Sequence, residues 1–356
     1  MDQPQEKEKR IRVGITHGDM NGISYEIILK TLQDQRLLET NTIIVYGSSK
    51  IASYYRKTLN ITDFNFNVIH KADQAHPRKP NIFNIHDEEV KIDVGKSTPI
   101  AGELALLSLE AATADLARNE IDVLVTAPIN KKNIQSETFH FPGHSEYFAH
   151  KFNSPDHLML MVSRDFRIGM ITGHIPINRI REVLTEDLIL RKINIMNHSL
   201  IRDFGIVKPK IAVLALNPHA GDEGLLGDED STFIREAVAK CYEKKMLVFG
   251  PYPADGFFGA AQFRHFDGIL AMYHDQGMIP FKLLSFEEGV NFTAGLPVIR
   301  TSPAHGTAYE LAGKNLASPE GFRTAVHLAC DIFENRQRYD ELVANPLKPA
   351  EPPRES

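Results

Sequence analysis

Cysteine is nearly missing from this chain: Cys241 and Cys330 are the only two in 356 residues. Both fall in helix-like stretches without metal-ligand spacing. This excludes a disulfide framework and a thiolate metal centre, and reads as two structural thiols in a reducing compartment. A surplus of positive charge is missing as well. Lys and Arg number 40 against 46 Asp and Glu, a net charge of −6, and no basic cluster with interleaved aromatics reverses that balance, so a nucleic-acid-binding surface is excluded. No apolar run reaches membrane-spanning length, and Met1 to Arg10 alternates charges where a secretory leader would carry an apolar core. There is no internal repeat, coiled coil or low-complexity segment. The expectation is a cytoplasmic protein with neither membrane nor nucleic acid as partner.

What is present describes a globular chain. Apolar residues make up 42% and charged residues 24%, too apolar for disorder, and the length suits two domains better than one core. Ile11 to Thr16, Ile43 to Gly47 and Ile121 to Thr126 read as strands. Helices are expected from an N-capping Ser24 and over Gly102 to Asn119. Strands alternating with helices predict βαβ units, hence an α/β fold with a largely parallel sheet. Residues 71–99 lack periodicity and read as loops with one short edge strand. Further strands are expected over 158–162, 167–172, 211–216 and from Val248, with an amphipathic helix from Thr185 to Phe204. The ends, 1–10 and 347–356, are expected to be disordered.

The chemistry gathers where strands stop. Ile269 to Tyr273 reads as a buried strand delivering His274 and Asp275 onto a loop that Gly277 and Pro280 keep irregular. His174 follows the strand 167–172 in the same way, and His219 follows 211–216. Ligands of parallel sheets bind past the carboxyl ends of strands. Three imidazoles converging there form a facial set that leaves coordination positions open, as a catalytic metal requires; three unrelated, partly exposed histidines would read the same way. Phe141-Pro142-Gly143-His144-Ser145-Glu146-Tyr147 opens a helix with His144 and Ser145 at its N-terminal end, a place for an anion or simply for a capping serine. Lys282, Asn291 and Arg300 surround an anionic ligand in one reading and are separate surface groups in the other. Asp255 lies in a proline-punctuated loop, and the acidic stretch 221–230 reads as a solvated loop.

Six segments occur together and in order: Ala127-Pro128-Ile129-Asn130-Lys131, the 141–147 segment above, Leu216-Asn217-Pro218-His219-Ala220-Gly221, Gly250-Pro251-Tyr252-Pro253-Ala254-Asp255, Tyr273-His274-Asp275-Gln276-Gly277 and Ser302-Pro303-Ala304-His305-Gly306-Thr307-Ala308. With them the chain from Arg12 to about Ile332 resembles the 4-hydroxythreonine-4-phosphate dehydrogenase family of vitamin B6 biosynthesis. The resemblance implies a two-domain isocitrate/isopropylmalate dehydrogenase-like α/β fold with largely parallel sheets and an active-site cleft between domains, here 11–133 plus 296–346, and 134–295. It implies a homodimer whose active sites draw on both subunits, the position of His274 being supplied by the partner. It places a divalent ion such as zinc, magnesium or cobalt on His174, His219 and His274, and substrate on His144, Ser145, Lys282, Asn291 and Arg300. NAD, or NADP, is bound without a Gly-x-Gly-x-x-Gly fingerprint, against His305, Gly306 and Thr307.

The reaction so implied is oxidation of 4-phosphohydroxy-L-threonine to 2-amino-3-oxo-4-phosphooxybutanoate, which decarboxylates to 3-amino-2-oxopropyl phosphate. Asp255 is the candidate proton acceptor, with Asp275 as rival. Competing readings are oxidation of another four-carbon phosphorylated acid, such as D-threonate or D-erythronate 4-phosphate, and a cofactor-free metal-dependent lyase or binding protein. Two places depart from the family pattern. The first loop usually reads Gly-Asp-Pro-Ala-Gly-Ile-Gly-Pro-Glu but here is Gly18-Asp19-Met20-Asn21-Gly22-Ile23-Ser24-Tyr25-Glu26, and Ser145 replaces the usual threonine while keeping a hydroxyl.

Overall fold

The computed structural model describes residues 10–164 and 166–346. Among them twelve strands form one sheet: β1 (Ile11–Thr16), β2 (Asn41–Gly47), β3 (Asn67–Ile69), β4 (Asn81–Asn84), β5 (Val123–Thr126), β6 (Leu158–Val162), β7 (Arg167–Met170), β8 (Lys210–Leu214), β9 (Leu247–Tyr252), β10 (Gly268–Ala271), β11 (Val290–Ala294) and β12 (Arg300–Pro303). Their spatial order is β3-β4-β2-β1-β5-β12-β11-β6-β7-β10-β8-β9. The strands from β3 to β12 run parallel to one another, as do those from β7 to β9. Between the two sets, β11 pairs antiparallel with β12 and β6, and β6 antiparallel with β7. The α/β, largely parallel fold is as expected; the antiparallel centre is an addition, because an apolar run does not encode the direction in which it pairs.

Side-chain alternation assigns the faces. Val123 and Val125 enter one core while Leu124 enters another, the period of two that a strand imposes. The first core runs the whole width of the sheet, beneath the helices Glu186–Arg202 and Glu320–Ala344. On the opposite face there are two cores: one contains Ile44, Leu109, Leu124 and Phe148, the other Ile168, Met170, Ile269 and Phe281. The gap between them lies over β6 and β11, and it holds the candidate site.

Several local expectations are revised. The strand ending in β10 does not run into an irregular loop: His274–Ser285 is a helix that contains both Gly277 and Pro280. Packing overrides propensity there, since Gly277 lies so close to the sheet that a Cβ would be 3.0 Å from Met170 Sδ and 3.3 Å from Ala271 Cβ. Ser24 is not a capping serine. Ile23 holds that position, and the Ser24 hydroxyl donates to the Pro128 carbonyl at 3.2 Å. Residues 71–99 contain β4, which is paired on both sides, so the edge falls to β3. The stretch 221–230 is not simply solvated: Asp230 is fully buried and accepts the N–H groups of Leu216 and Asn217 at 2.7 and 3.0 Å. Of the expected disordered ends, 1–9 and 347–356 lie outside the described residues, whereas Arg10 donates to the carbonyls of Leu38, Glu39 and Asn41. Among the described residues no helix is long and apolar enough to cross a membrane.

Candidate active site

A cleft of ≈ 260 Å³ opens over the antiparallel centre. Its floor is the face of β6, β11 and β12 that carries Met159 and Met161, Asn291, and Arg300 with Ser302. The carboxyl ends of β5 and β12 supply one wall through Thr126 to Lys131 and Pro303 to Gly306. The helix His144–Lys151 begins beside it. The carboxyl ends of β7 and β10 bring His174 and His274 to the other side. Of the residues singled out in the sequence, His144, Ser145, His174, His274, Lys282, Asn291, Arg300, His305 and Gly306 all line this cleft.

Arg300 dominates its electrostatics. The side chain is 2% exposed, its Nε and Nη2 donate to Thr126 Oγ1 at 3.0 and 2.6 Å, and Nη2 donates to His144 Nδ1 at 3.0 Å. Among the described residues no carboxylate forms an ion pair with it. Burial pulls the guanidinium down to about 9 against the opposing charge of Glu146, so it stays charged at neutral pH without a directly paired carboxylate, a condition that an incoming anion relieves. The same contact settles the His144 tautomer. A guanidinium only donates, so Nδ1 is the acceptor and Nε2 carries the hydrogen. That Nε2 is shielded from solvent and has no partner. Burial, then the charges of Arg300 and Lys131, hold the imidazole well below its usual pKa and keep it neutral. Ser145 is not a cap either: Gly143 holds the cap position, and the buried Ser145 hydroxyl meets Thr293 Oγ1 at 3.1 Å. Asn291 offers an unpartnered, buried amide oxygen.

The two histidines across the cleft stand with ring centroids 5.6 Å apart. His174 Nδ1 lies 3.5 Å from Glu146 Oε1 and its Nε2 3.4 Å from Lys131 Nζ. His274 Nδ1 is 2.7 Å from Asp275 Oδ1. Each ring thus has a carboxylate at Nδ1, which directs the lone pair onto Nε2, the arrangement typical of imidazoles that ligate metal. The donor set fits a divalent ion in part. Among the described residues of this single chain no group of three or more His, Cys, Asp or Glu side chains is disposed to hold one.

His219, Asp255 and Thr307 do not line the cleft, and Asp275 borders only a small neighbouring hollow beside His274. His219 is exposed on a turn of inverse hand, in which five successive residues, His219 to Glu223, have φ of 53, 54, 81, 44 and 55°. Asp255 is exposed on the short helix Ala254–Gly259. The carbonyl of Thr307 faces away, accepting the Ile23 N–H at 3.1 Å. Conversely, Glu146 and Lys131 line the cleft without having been singled out. Both sit inside motif segments, and their charge at a strand or helix terminus was the available signal. The divergent first loop turns inward: Met20, Asn21, Ser24 and Tyr25 are all buried, and none lines the cleft.

Fold and site together define an α/β protein whose cleft sets a buried arginine opposite a pair of histidines, each beside a carboxylate, at the junction of two parallel half-sheets. Residues 39–329 match the family described as pyridoxal phosphate biosynthetic protein PdxA, and the chain belongs to that family. A 4-hydroxythreonine-4-phosphate dehydrogenase of Bacteroides thetaiotaomicron is 51% identical over 343 residues, 96% of this chain and 94% of the relative. A D-threonate 4-phosphate dehydrogenase of Salmonella typhimurium is 34% identical over 324 residues, 90% of this chain and 98% of the relative. The crystal structure of the 4-hydroxythreonine-4-phosphate dehydrogenase from Klebsiella pneumoniae superposes with a TM-score of 0.77 at 34% identity, covering 91% of this chain and 100% of that one. The chain is accordingly an oxidoreductase of the dehydrogenase type, as its motifs led us to expect.

Proposed function

We propose that this chain is an NAD-dependent 4-hydroxythreonine-4-phosphate dehydrogenase of vitamin B6 biosynthesis, working as a homodimer with one divalent ion per site. The observation that carries the reading is the buried Arg300, which forms no ion pair among the described residues, beside the unpartnered Nε2–H of His144, a ready-made receptor for a phosphate dianion. Lys282 and Lys131 add positive charge at the rim. Remote binding energy from the phosphate then fixes the reacting carbon against the histidine side of the cleft.

His174, His219 and His274 would hold the divalent ion, whose charge would favour loss of the C3 hydroxyl proton, and a nicotinamide held at His305, Gly306 and Thr307 would supply the hydride acceptor. Glu146 and Asp275 hold the Nδ1 edges of His174 and His274 and leave their Nε2 atoms as the ligating positions. Asp255 is the proposed proton acceptor in the assembled dimer, with Asp275 as rival. Asn291 accepts a hydrogen from the substrate's polar backbone, and His305, Gly306 and Thr307 form the cofactor loop. The resulting β-keto acid loses its carboxylate because the neighbouring carbonyl accepts the electrons.

The dimer rests on an apolar face: Ile279, Leu283, Leu284 and Phe286 are 59, 82, 51 and 62% exposed, on and just after the helix that begins with His274. The domain division 11–133 plus 296–346 against 134–295 falls between β11 and β12. Two buried free cysteines suit a reducing, cytoplasmic setting. A second reading, oxidation of D-threonate 4-phosphate, is favoured by the Salmonella relative. Its hydroxyl would meet Asn291 where the ammonium of the threonine derivative does.

The test is NADH appearance with NAD and 4-phosphohydroxy-L-threonine, with and without chelator, and with D-threonate and D-erythronate 4-phosphates in parallel. The chain has no tryptophan, so NADH fluorescence rises over little background. Chelator-sensitive turnover that prefers the threonine derivative supports the proposal. Preference for a sugar acid moves the enzyme to the second reading, and no NADH from any of the three overturns NAD as the cofactor for these substrates.

A further inference from the structure

Behind the cleft, three loops meet at one buried aspartate. Asp19 is fully buried. Its Oδ2 accepts hydrogen bonds from Tyr309 Oη at 2.7 Å and Asn133 Nδ2 at 2.8 Å, and its Oδ1 accepts the Asn21 N–H at 2.9 Å. Its own N–H donates to the Pro128 carbonyl at 2.8 Å. Asn130 Nδ2 donates to the Tyr309 hydroxyl at 3.1 Å, so that hydroxyl both donates and accepts. Asn21 extends the knot to a further segment: its Oδ1 accepts the Asp93 N–H at 3.0 Å, and its Nδ2 donates to the Lys96 carbonyl and Thr98 Oγ1, both at 2.9 Å. The first loop also presses directly on the last one. A Cβ at Gly22 would lie 2.6 Å from the Thr307 carbonyl, the group that receives the Ile23 N–H.

Two of the tied segments line the cleft, one through Ile129 and Lys131, the other through His305 and Gly306. Asp19 and Tyr309 do not line it. The segment from Ala304 to Pro319, between β12 and the helix Glu320–Ala344, contains no strand or helix, so its shape depends on such ties. We propose that Asp19 and Tyr309 are positioning residues that hold the 304–309 loop in the form the nicotinamide cofactor needs. This rests on the dehydrogenase reading above. A dinucleotide bound without a glycine-rich turn needs a loop already ordered, because ordering it on binding would be subtracted from affinity. The Tyr309 hydroxyl fixes one end of the loop and the Thr307 carbonyl its middle.

Tyr309→Phe removes one hydroxyl and leaves the ring. The expected result is a roughly tenfold rise in the Kd for NADH, titrated by its fluorescence without phosphorylated substrate, and a matching rise in the KM for NAD, as loss of a hydrogen bond to a charged group implies. The KM for the phosphorylated substrate should move less than about twofold on the same principle of separate sites. Asp19→Asn, which turns an acceptor at the knot into a donor, should weaken NADH binding in larger measure and raise the substrate KM as well, because Asp19 also holds Asn133 in the loop that bears Lys131. An unchanged NADH affinity in both variants overturns the proposal. So does a rise of both KM values in Tyr309→Phe together with a lowered melting temperature, the mark of a merely structural role. If the unaltered protein neither binds NADH nor turns over with NAD, the dehydrogenase reading falls first and this one with it.

Discussion

Arg300 and His17 are both buried, and their environments predict opposite uses. Arg300 stays charged at neutral pH and is the proposed anion receptor. Arg300→Gln should lower kcat/KM for the phosphorylated substrate roughly 100-fold, the loss of charge-assisted hydrogen bonds; a dephosphorylated analogue should lose far less. Steady-state kinetics on both compounds checks this. His17 is kept neutral. It is 1% exposed, its Nε2 donates to the Leu104 carbonyl at 3.1 Å, and its ring stacks on Tyr25 at 5.3 Å. Burial pulls its pKa from 6.5 to about 4. The unfolded chain therefore takes up a proton below pH 6.5 that the folded chain refuses until about pH 4, so stability falls as pH drops through that window. Between pH 7 and pH 5 the loss from this one group is about 2 kcal/mol. Urea unfolding at the two pH values should show His17→Gln losing less stability than the unaltered protein by about that amount.

Elements differ in how plainly the sequence announces them. The strands near 11–16, 43–47, 158–162 and 211–216 were legible because apolar runs of that length have few alternatives. The helix at His274 was not, since Gly277 and Pro280 are breakers whose unfavourable propensity is outweighed by contact with β7 and β10. The fate of Asp230 was not legible either, because burial of a carboxylate depends on two N–H groups that only the folded loop aligns. Of the cleft residues, His144 and Ser145 were found through their segment, whereas Lys282, Asn291 and Arg300 lie outside the quoted segments and were found as polar groups suited to an anion and through the family resemblance. Lys131 and Glu146, in equally visible segments, lacked any feature that marks a side chain as pointing into a cavity. Gly102 gives this scale its test. In the helix Pro99–Ala117 alanine would ordinarily stabilise, yet a Cβ at Gly102 would sit 2.0 Å from the Asn133 carbonyl oxygen. Gly102→Ala should cost about 2 kcal/mol and displace the loop bearing Lys131, read as a lower melting temperature together with a raised substrate KM. A higher melting temperature would contradict the close packing.

For the whole molecule, the decisive question is what completes the site. The cleft of one chain brings two of the three expected metal histidines together, and the apolar face at Ile279, Leu283, Leu284 and Phe286 begins on the same helix as His274, His274–Ser285. Leu283→Glu should convert the protein from a species of twice the chain mass to one of a single chain in light scattering. Turnover should be lost with it while the far-ultraviolet dichroism stays that of the folded protein. A monomer that retained full activity would show each chain to be complete in itself.

The inverse-handed turn at His219 to Glu223 sets a trap for anyone who would improve this protein. For ordinary residues such backbone is uphill by about 1–2 kcal/mol each, whereas glycine adopts it freely. A search guided by stability alone would therefore nominate Ala220→Gly and Asp222→Gly, and a gain in melting temperature is the expected reward. The same exchanges release the arm that carries His219. With His219 as the proposed ligand, metal affinity measured by competition with a chelator should weaken as thermal tolerance rises, so that the hardiest variant would bind the proposed ion least well.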